Sequence, residues 1–332
     1  MDGPLWTEAH APTLADLPQP GVRDALTGAV DEPMNLVVHG PEGAGKTAAV
    51  RALAREAHAD PDNDLIAVNV DDFFSRTKTE IKNDPRFAPF LEGRSRLSKR
   101  DMINRVLKET ASYASVSGEY KTLLLDNAES IREDFQQALR RVMEQHHRTT
   151  QFVVATRQPS KLIPPIRSRC FDVPVRAPTH DETVAVLERI VEREGVAHDE
   201  EGLEYVAGYA GGDLRRAILG AQTAAEQEGE VTMDAAYEAL GEVGLTDRVE
   251  EMLTDAQAGE FRDARSTLDD LLVDEGYDGE EVLADLLAVA RSRLSGRELA
   301  AVHQLAGEVD LDLADGTSDR IHLSRFLAEL GR

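Results

Sequence analysis

The feature that most constrains this chain is a glycine-rich segment, residues 40–47, between a predicted strand and a predicted helix. It fits the pattern G-x-x-x-x-G-K-[ST], in which glycines let backbone N–H groups turn inward around phosphate oxygens at the positive end of the following helix. In this pattern Lys46 supplies positive charge to the β- and γ-phosphates, and the Thr47 hydroxyl ligates Mg²⁺. The segment therefore predicts a nucleoside triphosphate site with a magnesium ion. Its residues are Gly40, Pro41, Glu42, Gly43, Ala44, Gly45, Lys46 and Thr47.

A second candidate site lies at the end of an apolar run, residues 121–126, that reads as a buried strand. Its last residue, Asp126, is suited to holding the magnesium ion through water, although a strand-end carboxylate also serves as a helix cap. Hydrolysing ATPases usually place a glutamate next, whereas this chain has Asn127, which cannot take a proton from the attacking water. We do not expect Glu129, three residues past Asp126, to substitute. The sequence predicts nucleotide binding with poor hydrolysis.

The N-terminal half alternates β-rich runs with helical patterns, which is typical of a parallel sheet with helices on both faces. We therefore predict an α/β fold for this half. The predicted strands are 35–39, 64–70, 121–126, 150–156 and 170–175. The predicted helices between them are 48–57, 98–112, 131–146 and a stretch after Lys161.

From residue 179 onward no strand is predicted, and glycines punctuate a series of amphipathic helical patterns. A length of 332 residues suits two or three domains. We predict an α/β domain over 1–176, a small helical domain over 177–243 and a third, helical domain over 244–332. The predicted helices are 180–194, 200–208, 213–227, 231–240, 246–257, 259–273, 279–294, 296–307 and 319–330.

The chain is strongly acidic, with 62 acidic against 37 basic residues and a net charge of −25. Most of that charge lies in residues 199–332, which contain no lysine. Such a surface is expected in a cell with molar salt, where screening over about 3 Å suppresses self-repulsion. Apolar runs shorter than about 18 residues and an N-terminus without signal-peptide features predict a cytoplasmic protein without membrane spans. The one cysteine, Cys170, excludes internal disulfides and reads as a packing residue.

A basic segment stands out against this acidic background. Residues 75–108 contain ten basic and four acidic side chains, including Arg96, Lys99 and Arg100. Basic side chains that neutralise phosphates bind a duplex without reading its sequence. Contact with DNA is one interpretation, and a solvated helix face or docking to an acidic partner is the other.

Several motifs together resemble the small subunit of archaeal and eukaryotic replication factor C, the AAA+ sliding-clamp loader. The resemblance covers nearly the whole chain and is densest over residues 34–220. It implies a RecA-like AAA+ domain, a small helical lid and an all-helical collar, with ATP and Mg²⁺ as ligands and an insertion at about 73–120. The motifs are the phosphate loop, DNAE at 126–129, ALRRVME at 138–144, FVVATR at 152–157, IRSRC at 166–170 and GDLRRA at 212–217.

The resemblance also implies roles for individual residues. Arg169, in the Ser-Arg-Cys element, corresponds to the arginine finger that reaches a neighbouring subunit's ATP, with a surface ion pair as the alternative. Arg215 corresponds to the lid arginine at the γ-phosphate, with an exposed helix arginine or a partner of Asp213 as the alternative. Arg140 lies on the helix that reports DNA occupancy to the ATP site in this family, or on a solvated face. Arg157 stands where the family has an asparagine sensor, so the site departs from the family pattern there as well as at Asn127.

The resemblance implies an ATP-binding small subunit that acts in DNA replication. Its partners would be other clamp-loader subunits, small and large, the sliding clamp and primer-template DNA. Two alternatives remain at this point: a nucleotide-holding structural subunit without turnover, and another DNA-acting AAA+ ATPase such as an initiator or branch-migration motor. The last usually adds a basic winged-helix module, whereas residues 245–332 are acidic and helical in pattern.

Overall fold

The computed structural model describes residues 4–84, 88, 97–113, 115–240, 243–274, 277–314 and 318–331. The chain forms two compact units, Met1–Ala236 and Tyr237–Arg332. The division into three domains at residues 176 and 243 stays a prediction. No helix in the described part of the chain has the length and apolarity needed to cross a bilayer.

A five-stranded parallel sheet in the order β2-β3-β4-β1-β5 forms the centre of the first unit. Register pairs Lys121 with Thr150 and Leu36 with Val153, so the carboxyl ends of β1, β3 and β4 lie at one edge. β3 and β4 are nearly continuous apolar runs because both faces of a parallel sheet are covered. The strands are β1 Leu36–His39, β2 Leu65–Asn69, β3 Lys121–Asp126, β4 Thr150–Thr156 and β5 Phe171–Pro174.

Helices cover both faces of this sheet, and successive strand residues alternate between two cores. Leu123 and Leu125 pack on one face against α7 and α8, whereas Leu124 packs on the other against α2 and α3. The α/β fold predicted from the sequence is confirmed. The helices are α1 Trp6–Ala9, α2 Pro20–Asp31, α3 Lys46–Ala57, α4 Pro61–Asp64, α5 Val70–Ser75, α6 Lys78–Asn83, α7 Lys99–Ser112, α8 Glu133–His146 and α9 Pro164–Arg167, with 3₁₀ turns at Ala128–Ser130 and Pro159–Lys161.

The first unit continues into helices whose ends follow from local sequence signals. A capping box of Thr179 and Glu182 opens α10, and Gly195 in the left-handed region ends it. The prediction that strands are absent beyond residue 179 is wrong for β6 and β7, which are too short to show a two-residue period. These elements are α10 His180–Glu194, β6 Ala197–His198, α11 Glu200–Ala210, α12 Leu214–Glu228, β7 Glu230–Val231 and α13 Met233–Leu240, the last extending past the unit boundary.

The second unit is helical throughout its described residues. Its core is apolar, with Leu286, Leu323 and Phe326 fully buried at its centre. The predicted helical pattern over 259–273 corresponds to α15 followed by a π-helical turn, Asp270–Asp274. The helices are α14 Val243–Ala258, α15 Phe261–Asp269, α16 Gly279–Arg293, α17 Gly296–Ala314 and α18 Asp319–Leu330.

Candidate nucleotide-binding site

The glycine-rich segment forms the turn between the end of β1 and the start of α3. Gly43 and Gly45 both have positive φ, +67° and +95°, and Gly45 lies at the N-cap of α3. The first turn of a helix leaves N–H groups without intrahelical acceptors, and these groups face into the turn where anions bind. The backbone therefore has the form predicted for a phosphate-binding loop.

Lys46 folds back over this loop. Its amino group donates to the carbonyl oxygens of Gly40, at 3.0 Å, and Pro41, at 2.6 Å. Burial lowers the pKa of Lys46, while the nearby carboxylates of Asp126, Glu129 and Glu42 oppose that change. The lysine thus lies at the centre of a group of charged side chains, with its donors at the mouth of the loop.

Thr47, in the first turn of α3, contacts Asp126, the last residue of β3. The Thr47 hydroxyl donates to Oδ2 of Asp126 at 2.7 Å, and Oδ1 of Asp126 accepts from the Asn127 backbone N–H at 3.1 Å. A hydroxyl and a carboxylate beside phosphate oxygens form the hard oxygen donor set that Mg²⁺ prefers. Among the described residues no cluster of three or more His, Cys, Asp or Glu side chains is placed to hold a metal ion.

The Glu129 carboxylate is buried and accepts hydrogen bonds from neighbouring residues. It lies on the 3₁₀ turn after Asn127, and its carboxylate accepts from Thr156 Oγ1 at 2.9 Å and from the Arg157 backbone N–H at 3.1 Å. Arg157 Nε adds a third hydrogen bond at 2.7 Å, and the side chain is only 7% exposed. Burial alone would raise the pKa, but these donors outweigh it and lower the pKa of Glu129 to about 2. A carboxylate this acidic is a poor general base at neutral pH.

Arg157 connects the end of β4 to the phosphate loop. Its Nη1 lies 2.6 Å from Oε2 of Glu42, while its Nε holds Glu129. These two carboxylates raise the pKa of the Arg157 guanidinium, so it stays charged. The structure therefore brings Arg157, singled out by the family resemblance, into contact with the loop.

The helical part of the first unit also contacts the loop. The backbone N–H of Leu214 donates to the Gly43 carbonyl at 3.1 Å, and a Cβ added at Gly43 would lie 2.0 Å from the Asp213 carboxylate. Asp213 itself caps α12 by accepting from the Arg216 N–H. Glycine at position 43 is thus required by its φ and by the approach of Asp213. The neighbouring Arg215 is exposed at the start of α12, and its role at the γ-phosphate stays a prediction.

Sequence reasoning missed Gln19, which precedes α2 and is 4% exposed. Its side-chain amide donates to the Ala44 carbonyl in the loop at 3.2 Å and to the Arg176 carbonyl at 2.8 Å. This residue therefore ties the N-terminal segment and the chain leaving β5 to the phosphate loop. A single glutamine between two prolines gives no pattern from which that contact could be predicted.

Arg169 is held by its own chain. Its Nη1 donates to the Pro165 carbonyl and its Nη2 to the Glu144 carboxylate, both at 2.7 Å. Arg140 Nε donates to the same Glu144 oxygen at 3.0 Å, so the two predicted functional arginines share one acceptor near the end of α8. Arg169 is 35% exposed in its side chain, and its action on a neighbouring subunit stays a prediction. Burial raises the pKa of the adjacent Cys170 thiol to about 12, as suits a packing residue.

Of the predicted DNA-contact residues, Lys99 and Arg100 lie on α7 and Arg140 lies on α8. Lys99 donates to the Phe74 carbonyl at 2.5 Å, and Arg100 pairs with Asp134 of α8 at 3.2 Å. Arg96 lies outside the described residues. Several of these charges are thus satisfied within the chain, and their contact with DNA stays a prediction.

The fold and site define a nucleotide-binding protein of the P-loop class. In comparisons with known proteins, the ATPase family associated with various cellular activities (AAA) matches residues 36–178, and the replication factor C C-terminal domain matches residues 245–329.

Curated relatives match along nearly the whole chain. The replication factor C small subunit of Halobacterium salinarum is 30% identical over 98% of this chain and 95% of its own. Those of Staphylothermus marinus and Aeropyrum pernix are 32% and 33% identical, each over 98% of this chain, and 94% and 95% of their own chains. The chain belongs to the replication factor C small-subunit family, and the resemblance seen in the motifs is confirmed.

Proposed function

We propose that this chain is an ATP-binding small subunit of a clamp loader that helps to place a sliding clamp on primer-template DNA during replication. The observation that carries this proposal is the family match over 98% of the chain. The match includes a phosphate loop whose Thr47 meets Asp126 at 2.7 Å. Its partners would be other small and large subunits, the clamp and the DNA, and a cytoplasmic location goes with that role.

In this proposal the chain binds Mg-ATP but hydrolyses it slowly. The phosphate loop and Lys46 would hold the β- and γ-phosphates, with Thr47 and Asp126 at the metal. Bound Mg²⁺ would neutralise charge on the phosphate oxygens. Asn127 offers no base, and both carboxylate oxygens of Glu129 already accept hydrogen bonds from Thr156 or Arg157. Loss of a general base typically costs about 10²–10⁴ in rate.

Arg169 would act on the site of the adjacent subunit. An arginine supplied in trans is worth about 10³–10⁵ in rate in other nucleotide hydrolases. Hydrogen bonds to Glu144 and Pro165 hold the Arg169 guanidinium near the C-terminal end of α8. They use Nη2 and Nη1, respectively. Arg215 would contact the γ-phosphate of the chain's own nucleotide and couple the helical segment to it.

Lys99, Arg100 and Arg140, together with Arg96, would contact the phosphates of DNA. For Arg96, Lys99 and Arg100 the support is the excess of basic residues over 75–108 in a chain of net charge −25. For Arg140 it is the family resemblance of the helix on which it lies. Phosphate contacts of this kind position a duplex and weaken as salt rises.

The first test compares Mg-ATP binding with single-turnover hydrolysis by the full chain in molar salt, with Lys46→Ala as control. Tight binding that Lys46→Ala abolishes, with turnover near background, is the expected result. Turnover that depends on Lys46 would show that Asn127 does not disable the site. No binding at all would contradict the nucleotide site itself.

The clamp-loading role is tested separately with orthodox partner subunits, the clamp and primed DNA. Replacing the wild-type chain by Lys46→Ala should reduce the yield of clamp left on primed DNA. Full loading without this chain would overturn the proposed role.

A further inference from the structure

Arg157 joins two carboxylates, Glu129 and Glu42, and its contact with Glu129 is the more extensive of the two. The Glu129 side chain is 7% exposed, and its carboxylate accepts hydrogen bonds from the backbone N–H and the Nε of Arg157. It also accepts one from the Thr156 hydroxyl. Glu42 is 73% exposed in its side chain and meets Arg157 only at Nη1. Arg157 is therefore held mainly by Glu129, and its contact with Glu42 is the one that is open to solvent and ions.

Glu42 also stands inside the loop that would hold phosphates. A carboxylate there repels an entering polyphosphate unless a cation neutralises it. Arg157 supplies that cation, and its guanidinium lies close enough to the Lys46 amino group for its charge to lower the pKa of Lys46. A phosphate in this loop and the Glu42 carboxylate thus compete for the same outer edge of one guanidinium.

We propose that Glu42 is a specificity-determining residue that sets how strongly the site prefers a nucleoside triphosphate over a diphosphate. Arg157 Nη1 exchanges Glu42 for the terminal phosphate, while Nε stays bound to Glu129. Only a triphosphate carries the additional charged group that can displace Glu42, so this competition weakens triphosphate binding selectively. The inference rests on the proposed nucleotide site and adds a role for a loop carboxylate within it.

The test measures dissociation constants of Mg-ATP and Mg-ADP for the full chain and for Glu42→Gln, Arg157→Ala and the double variant. Glu42→Gln should tighten ATP binding by about twofold to fivefold, the range expected on releasing an exposed ion pair, with a smaller change for ADP. Arg157→Ala should lower the ATP-to-ADP preference. In the Arg157→Ala background, Glu42→Gln should change the ATP-to-ADP preference less than it does in the wild-type background, because no guanidinium remains to be released.

A matched control is Glu228→Gln, which removes an exposed carboxylate at the end of α12 and should leave both affinities unchanged. The effect of Glu42→Gln should shrink as salt rises from about 0.1 to 1 M, since the Debye length falls from about 10 to 3 Å. Glu42 is exposed, so this variant tests the inference even if Arg157→Ala does not fold.

Equal responses of ATP and ADP to Glu42→Gln, or weaker ATP binding, would overturn the inference alone. If the wild-type chain binds neither nucleotide better than Lys46→Ala does, the proposed function fails and the inference fails with it.

Discussion

Glu129 and Arg157 are locked together at the edge of the phosphate site by two hydrogen bonds, one from the Arg157 backbone at 3.1 Å and one from its guanidinium at 2.7 Å. The carboxylate is almost completely buried, whereas the guanidinium is half exposed. Glu129, two residues after Asn127, thus already accepts hydrogen bonds from Arg157. The Glu129–Arg157 pair also stabilises the fold, since removal of either residue would leave the other without its opposite charge.

Arg157→Ala should therefore destabilise the fold more than Glu42→Gln does. The first variant leaves a buried carboxylate with two of its three hydrogen-bond contacts, and we expect a loss of about 1–3 kcal/mol in the free energy of unfolding. The second removes an exposed partner and should change that free energy by less than about 0.5 kcal/mol. Urea unfolding at fixed salt measures both, and equal losses would contradict the unequal hold on Arg157.

The Glu129 pKa predicts a specific acid dependence. Because the folded pKa is lowered from 4.5 to about 2, the pair contributes stability that is complete above about pH 4.5 and lost as pH falls toward 2. The wild-type free energy of unfolding should thus fall by about 2–3 kcal/mol more than that of Glu129→Gln over this range. Parallel acid profiles for the two proteins would show that Glu129 titrates normally.

Gly43→Ala should disrupt the contact between the loop and α12. The new Cβ would lie 2.0 Å from the Asp213 carboxylate. Gly195→Ala is the matched control, because Gly195 has nearly the same φ, +68°, and no atom within 4 Å of the added carbon. The control should cost about 1 kcal/mol, and Gly43→Ala should cost more and weaken nucleotide binding. Thermal unfolding and ATP titration decide this, and indistinguishable variants would argue against close packing at Asp213.

Arg169→Ala should reduce ATP turnover by the assembled complex while leaving nucleotide binding by this chain intact. The expected loss is at least about 10²-fold at the adjacent site, since an arginine in trans stabilises the transition state. Arg105→Ala is a suitable control, because Arg105 forms a comparable surface pair with Glu109 on α7. An unchanged rate in the Arg169 variant would leave that arginine as an ordinary partner of Glu144.

The acidic surface predicts that salt stabilises the fold. With 62 acidic against 37 basic residues, self-repulsion opposes the compact state until ions screen it. The free energy of unfolding should rise as KCl increases from about 0.1 to 2 M, because the Debye length shortens. Sucrose stabilises folded proteins by exclusion from their surface and does not screen charge, so only a rise with KCl beyond the rise with sucrose counts as screening. Stability that is independent of KCl would remove the argument for a high-salt origin.

The N-terminal strand predictions lie close to the structure for a physical reason. β3 and β4 were predicted at their observed bounds, since buried parallel strands are apolar runs whose ends are marked by polar residues. The bounds of helices α10 and α18 likewise agree with those predicted from amphipathic periodicity. The strands β6 and β7 were not predicted, because two residues are too few to show the alternation of apolar and polar side chains that marks a strand.

The phosphate loop, the strand that ends in Asp126 and the family can be predicted from the sequence, because they depend on local spacing and on residues that adjoin along the chain. Three contacts become visible only in the folded chain: Arg157 bridges Glu42 and Glu129, Asp213 approaches Gly43, and Gln19 holds the loop. Those partners are separated by 25 to 170 positions in the chain. Parallel strand order and helix docking bring them together, and side-chain pattern within one segment carries no record of such contacts.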